Sequence, residues 1–288
     1  MRVPVERGET RALGWRLKQL DRLTALLHQH EAAVLDALAA DLGKPPLEAT
    51  FELVAIRQEI ALTRKHLRRW MAPRPCPLDL ALQPGRAWVE RQPLGCVLII
   101  GPWNYPFQLT LHPLVSALAA GNAAVLKPSE HAPRTAELID RLLKEAFPPE
   151  VVQVVLGDAA VAGALLEQRF DHVFFTGGGR VGSLVMQACA RHLTPVTLEL
   201  GGKSPVIVLS DADVAVTARR LAWGKGLNAG QTCIGPDHVL VEQAVREPLV
   251  EAMARELERF YGPDPLHSPD LGRIVNEAQF QRLHGLLE

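Results

Sequence analysis

The chain has 288 residues, with 31 basic and 32 acidic side chains for a formal net charge of −1, and 48% of it is hydrophobic. That balance describes a soluble globular protein and argues against a nucleic-acid binder, which carries a concentrated basic face. A chain of this length buries roughly 75% of its unfolded surface and sits where one core gives way to two.

The stretch Met1 to Leu20 alternates charged and apolar residues and lacks the unbroken apolar run of a signal peptide. Leu13, Leu17, Leu20, Leu23 and Leu27 recur at helical spacing, and Leu35 and Leu38 continue the pattern to a stop signal at Gly43, Pro45 and Pro46. A second amphipathic helix is expected from about Leu47 to Trp70, with Phe51, Val54, Leu62 and Leu67 turned inward. Pro73, Pro75 and Pro77 end it and read as a linker.

Beyond the linker the pattern changes to short β-branched runs separated by helical segments, starting with Val89 to Arg91 and Cys96 to Ile100. Strand-like runs recur at Ala123 to Lys127, Val151 to Leu156, His172 to Thr176 and Val196 to Leu200. This βαβα alternation predicts an α/β fold, a doubly wound parallel sheet with buried strands, preceded by the N-terminal helices. After Gly201 come a strand at Pro205 to Leu209, a helix near Asp213 to Gly226, a cysteine loop, a strand at His238 to Val241 and a long helix from Arg246. Gly201 is therefore taken as a domain boundary, with 1–200 as a helical lead and cofactor domain and 201–288 as part of a second α/β, catalytic domain. Asn276 to Leu287 reads as a helix that runs out, which suggests the length of a fragment.

The most apolar window, Leu109 to Leu126, is interrupted by His112, Pro113, Gly121 and Asn122, too broken for a membrane segment. A cytoplasmic protein is expected. Four cysteines and ten histidines show no CxxC, HxxxH or HExxH pairing, so neither a metal site nor a disulfide framework is expected. Cys96 lies in a strand-like run and Cys189 in a helix, where each reads as a small buried hydrophobe, and Cys76 lies in the linker.

The remaining cysteine is different. Gly230-Gln231-Thr232-Cys233-Ile234-Gly235-Pro236 puts Cys233 in a turn-rich segment whose backbone amides can stabilise a thiolate and the oxyanion formed when it attacks a carbonyl. Thr176-Gly177-Gly178-Gly179-Arg180-Val181-Gly182 follows a strand and opens a helix, so Gly177, Gly179 and Gly182 match GxGxxG in its required context. Either phosphate rests on the helix N-terminal amides there, or the glycines serve a tight turn that needs positive φ.

A simple dinucleotide reading sends the next acidic residue, Glu199, to a ribose hydroxyl. Its place between two leucines at a strand end instead suggests desolvation, which raises a carboxylate's pKa and suits a general base. Asn104, in Gly101-Pro102-Trp103-Asn104-Tyr105, follows another strand and is either a turn former or an amide donor to a developing oxyanion. Lys127-Pro128-Ser129-Glu130 repeats the placement, with Lys127 and Glu130 able to grip sugar hydroxyls or simply to solvate a strand end.

Asn104, Lys127, Glu199 and Cys233, in this order, resemble the aldehyde dehydrogenase superfamily. The runs Arg191-His192-Leu193-Thr194-Pro195-Val196-Thr197-Leu198-Glu199-Leu200-Gly201-Gly202-Lys203-Ser204-Pro205 and Gly230-Gln231-Thr232-Cys233-Ile234 point to its class 3, fatty-aldehyde-like branch. The resemblance covers nearly the whole chain. It implies NAD(P)-dependent oxidation of medium- or long-chain aliphatic or aromatic aldehydes, with Cys233 as nucleophile, Asn104 as oxyanion donor and Glu199 activating the water that hydrolyses a thioester. It further implies that Lys127 and Glu130 hold the adenosine ribose of NAD or NADP, and that Trp103 and the turn Gly177, Gly178 and Gly182 lie along the pyrophosphate. A homodimer is implied for the full-length protein.

Two departures stand out. Gly178 replaces the serine or other polar residue of many relatives, and relatives continue past the position of Glu288 through a glutamate that binds the nicotinamide ribose. The alternative is a catalytically incompetent fragment that keeps cofactor-binding elements. Acyl transfer to coenzyme A is a third reading, against which Glu199 argues.

Overall fold

The computed structural model describes residues 1–288. The elements in chain order are α1 (Val3–Glu6), α2 (Leu13–Gln29), α3 (Glu31–Leu42), α4 (Pro46–Met71), β1 (Arg74–Cys76), β2 (Ala87–Val89), β3 (Cys96–Ile100), α5 (Gln108–Ala119), β4 (Ala123–Lys127), α6 (Pro133–Ala146), β5 (Val152–Val154) and α7 (Ala159–Leu166). There follow β6 (His172–Thr176), α8 (Gly179–Ala190), β7 (Val196–Glu199), β8 (Pro205–Val208), α9 (Val214–Gly226), β9 (His238–Val241), α10 (Gln243–Tyr261) and α11 (Glu277–His284).

The leucine pattern that runs on through Leu38 forms two helices, because His30 between α2 and α3 leaves helical geometry at φ −119°. Gly43 ends α3 as expected, in the left-handed conformation at φ 59°, with its amide donating to the Ala39 carbonyl. In α4 the inward face differs from the expected one. Ala49, Leu53, Ile56, Ile60 and Leu67 are buried, whereas Phe51, Val54 and Leu62 are 37%, 36% and 49% exposed. Only Leu67 of the expected set faces the core, since two apolar stripes run along this helix and α2, α3 and α5 cover just one of them.

The proline-rich linker is structured as well. Arg74–Cys76 pairs antiparallel with Ala87–Val89 in an exposed two-stranded ribbon, so the run at Val89 belongs there and not to the main sheet.

The main sheet is parallel, in the order β5-β4-β3-β6-β7. The chain winds outward from β3 through β4 to β5, then returns to the other side of β3 for β6 and β7, as a doubly wound sheet does. Period-two alternation splits the core. Val97, Ile99, Ala124, Leu126 and Val152 face a layer of α2 to α6, while Cys96, Leu98, Ile100, Val125, Val173 and Phe175 face α7 and α8. Strands β3 and β4 are buried at every position. Against expectation β6 alternates between buried and half-buried, and no β7 residue is fully buried. A cavity of about 270 Å³ there is lined by His112, Pro113, His172 and Phe174.

The last third forms a separate layer. Strands β8 and β9 pair in parallel, and Val208 packs with Ala218 and Leu221 of α9 and Leu249 and Ala252 of α10. The other face of this small sheet is bare, with Ile207 69% and Leu240 57% exposed. No helix is long and apolar enough to cross a membrane.

Candidate active site

Strand register gathers the carboxyl ends. Ile100 pairs with Lys127 on one side and Phe175 on the other, and Thr176 pairs with Glu199. Two further bonds extend the ladder past the strands, Gly101 N–H to the Lys127 carbonyl and Gly177 N–H to the Glu199 carbonyl, both 3.0 Å. The segments carrying Trp103, Asn104, Glu130, Gly177 to Gly182 and Glu199 therefore all leave one edge, around the β3/β6 switch point where such sheets bind ligands.

At this edge Lys127 is buried, and its Nζ donates to Glu130 Oε2 at 2.6 Å. Burial alone pushes the Glu130 carboxyl up, but the Lys127 hydrogen bond and charge outweigh it and hold the group below its ordinary value. The glycine turn does not use left-handed backbone, since none of Gly177, Gly178, Gly179 and Gly182 has positive φ. Two of them serve close approach instead. A Cβ on Gly177 would lie 2.5 Å from the Phe175 ring and one on Gly182 2.9 Å from Leu200 Cδ2, whereas Gly178 and Gly179 face open space. Helix α8 starts behind Gly178 without a side-chain cap, so its first amides are free to take an anion. Trp103 is half-buried.

The cysteine loop reaches the same edge by a sharp reversal. Asn228, Ala229 and Gly230 all adopt left-handed backbone, at φ 54°, 52° and 77°. Such geometry costs about 1–3 kcal/mol per non-glycine residue and persists where surroundings enforce it. Here Glu48 of α4 accepts the Asn228 amide at 2.8 Å, and Asn228 Nδ2 donates to the Asn104 carbonyl at 2.8 Å and to the Gln231 carbonyl at 3.1 Å. Gln231 is clamped too, donating to the Arg273 carbonyl at 2.9 Å and accepting from Val275 N–H at 3.0 Å.

Across this loop Asn104 Nδ2 donates to the Gln231 carbonyl at 2.9 Å, and the Tyr105 hydroxyl meets Thr232 Oγ1 at 2.7 Å. Burial pushes the Tyr105 phenol up to about 12, the Thr232 bond opposing it, so it stays protonated. Cys233 follows, exposed, unlike the buried Cys96 and Cys189, whose thiols burial pushes up. On the far side a Cβ on Gly202 would lie 3.0 Å from the Cys233 carbonyl oxygen, so the segment after β7 lies against the cysteine loop.

Glu199 departs from expectation in one respect. It is exposed and Leu200 is 39% exposed, so the flanking leucines do not supply the desolvation that the sequence suggested. Of the expected residues, Asn104 and the Cys233 loop are directly joined. Lys127 and Glu130 pair with one another, and Glu199 and the glycine turn are adjacent through the Gly177–Glu199 bond.

This edge, with an exposed cysteine, an amide donor tied to its loop and uncapped helix amides, agrees with comparisons to known proteins. A model described as "Aldehyde dehydrogenase family" matches residues 9–288. The chain belongs to the aldehyde dehydrogenase family. It is 48% identical over 292 residues to human "Aldehyde dehydrogenase family 3 member B1", covering 100% of this chain and 62% of that protein. To the rat protein named "Aldehyde dehydrogenase, dimeric NADP-preferring" it is 43% identical over 282 residues, covering 98% of this chain and 62% of that protein. The substrate-bound Staphylococcus aureus AldH superposes with a TM-score of 0.95 at 41% identity, over 99% of this chain and 63% of that one. The chain thus spans about 60% of the length of the curated relatives it matches.

In this aldehyde dehydrogenase family member the sequence reading missed Lys44, Glu48, Glu52, Tyr105, Asn228, Gln231 and Thr232. One of them carried a signal. Phased on Ala49, Leu53, Ile56 and Ile60, helix α4 shows Glu52 as a charge inside its apolar stripe, and Glu52 is indeed fully buried. For the others only contact across the fold identifies a role.

Proposed function

We propose that this chain carries the cofactor site and the nucleophile of an NAD(P)-dependent aldehyde dehydrogenase acting on medium- or long-chain aliphatic or aromatic aldehydes. The observation that carries this reading is the Asn104–Gln231 hydrogen bond, which ties an amide donor to the loop of an exposed cysteine. The residues present fit a nicotinamide dinucleotide. Lys127 and Glu130 offer ribose hydroxyls a donor and an acceptor, and Gly178 and Gly179 leave the uncapped α8 amides open to a pyrophosphate.

In this reading Cys233 Sγ, as a thiolate, bonds to the aldehyde carbon and the carbonyl electron pair moves onto oxygen, giving a thiohemiacetal. The Asn104 amide and the Cys233 backbone N–H hold that oxyanion. When bound, the nicotinamide supplies the hydride acceptor that converts the adduct to a thioester. Glu199 takes a proton from the water that attacks the thioester, releasing the carboxylic acid and freeing Cys233. Its exposure gives that water a path.

The rat relative's name, with "dimeric" and "NADP-preferring" in it, supports NADP and a dimer for the full-length protein, and a Sinorhizobium meliloti structure named as an NAD-dependent aldehyde dehydrogenase supports NAD. A division near Gly201 is supported by the separate buried clusters of the five-stranded and two-stranded sheets. The bare Ile207 and Leu240 face favours a second reading, cofactor binding without turnover by these 288 residues.

The test is aldehyde-dependent NAD(P)H formation by the purified chain and by Cys233→Ala, with cofactor binding followed by fluorescence. Turnover lost on Cys233→Ala is expected, and survival overturns the nucleophile assignment. Binding without turnover in the unmutated chain favours the second reading.

A further inference from the structure

Behind the site lies a buried ion pair that the chemistry above does not use. Lys44, in the turn after α3, donates to Glu52 of α4, and both side chains are 0% exposed. Burial is the strongest influence on each, pushing the Lys44 ammonium down and the Glu52 carboxyl up against their mutual attraction. Well-packed apolar side chains usually stabilise such a place at least as well, so stability alone does not account for the pair.

Its contacts point to the site. The second Glu52 oxygen accepts the amides of Phe107 and Gln108 at 3.1 and 2.8 Å, capping α5, which has no side-chain cap of its own. Lys44 Nζ sits 4.0 Å from the centroid of the Tyr105 ring. The same ring's hydroxyl bonds Thr232, the residue before Cys233. Glu52 thus fixes the chain just after Asn104-Tyr105, and Lys44 fixes the ring that spans from Asn104's neighbour to Cys233's neighbour. One turn earlier on α4, Glu48 holds Asn228 and with it the other end of the cysteine loop. Only a carboxylate can present one oxygen to an ammonium and another to two amides.

We propose that the Lys44–Glu52 pair is a positioning device for the reaction, setting the Asn104 amide and the Cys233 thiol in reacting register through the α5 cap and the Tyr105–Thr232 bridge. This rests on the reading of Asn104 and Cys233 as oxyanion donor and nucleophile. Neither Lys44 nor Glu52 touches the reacting atoms. Small displacements of reacting groups carry large rate penalties, so the effect belongs on kcat.

The test compares the full protein with Lys44→Met/Glu52→Gln, a double variant that leaves no orphan charge, and with the milder Glu52→Asp and Tyr105→Phe. Expected are a fall in kcat of about 100-fold for the double variant and about 10-fold for each single one. The KM for NAD(P) should stay within about twofold and the melting temperature of the single variants near that of the unmutated protein. Unchanged kcat in folded variants, or losses of kcat that only track loss of folded protein, overturns the proposal. If the double variant does not fold, Glu52→Asp and Tyr105→Phe decide. Failure of the underlying reading shows separately, as no turnover by the unmutated protein. In that case the rate of Cys233 alkylation by iodoacetamide decides, a change of about 10-fold in the variants supporting the positioning role and an unchanged rate overturning it.

Discussion

The Asn104 side-chain amide donates to the Gln231 carbonyl although the two residues lie 127 positions apart. That bond uses one N–H of the amide and leaves the second free, so the residue can hold the cysteine loop and still donate to a developing oxyanion. Asn104→Ala removes both. We expect kcat to fall by about 100-fold or more, the range for loss of an oxyanion donor, with a much smaller change in KM for NAD(P). Steady-state kinetics of the variant check this, and a kcat within about threefold of the unmutated protein would contradict the role.

Glu199→Gln separates the two halves of the reaction. In the proposed reaction hydride transfer precedes hydrolysis, so the variant should form one equivalent of NAD(P)H in a burst near the normal rate and then turn over at least about tenfold more slowly. Stopped-flow absorbance resolves the phases. Equal slowing of both would assign Glu199 to an earlier step.

Lys127→Met deletes the cation that holds Glu130 at the end of β4. Glu130 loses the strongest of the influences that hold its carboxyl below its ordinary value, and in the proposed function it faces ribose hydroxyls without its partner. A rise of about 10-fold in the Kd for NAD(P) is expected, with kcat at saturating cofactor little changed, because the proposed function gives this pair a part in cofactor binding and none in the thiol chemistry. Fluorescence titration measures the first quantity and initial rates the second.

His172 gives a pH prediction for stability. Burial lowers its pKa, and its Nε2 lies 3.0 Å from Thr197 Oγ1 across β6 and β7. The folded state therefore disfavours the imidazolium. The neutral ring's contribution is full above the unfolded pKa of about 6.5 and is lost as pH falls toward the lower folded value. The urea midpoint should drop more between pH 7.5 and 5.5 for the unmutated chain than for His172→Gln, and parallel slopes would exclude the histidine as a source.

The sequence by itself determined the sheet and most of what lies on its edge. Short apolar runs set between helical segments marked β3, β4 and β6 to the residue, and a parallel βαβ chain must bring its strand ends to one side. Asn104, Lys127, Gly177 and Glu199 could therefore be read as neighbours from local pattern alone. The turn that carries Cys233 was legible too, because Gly230 beside it supplies left-handed backbone.

Only the tertiary structure decided which face of α4 is buried, since that helix carries two apolar stripes and the choice between Leu53 and Phe51 rests with the helices laid against it. It alone showed Glu199 exposed, because desolvation is a property of everything packed around a group and not of its two neighbours in the chain. The supports of the site belong to the same class. Glu52 caps a helix 55 residues away, and Glu48 holds a loop 180 residues away. Such contacts have no local periodicity to announce them, because a hydrogen bond between distant segments exists only once the core between them has been packed.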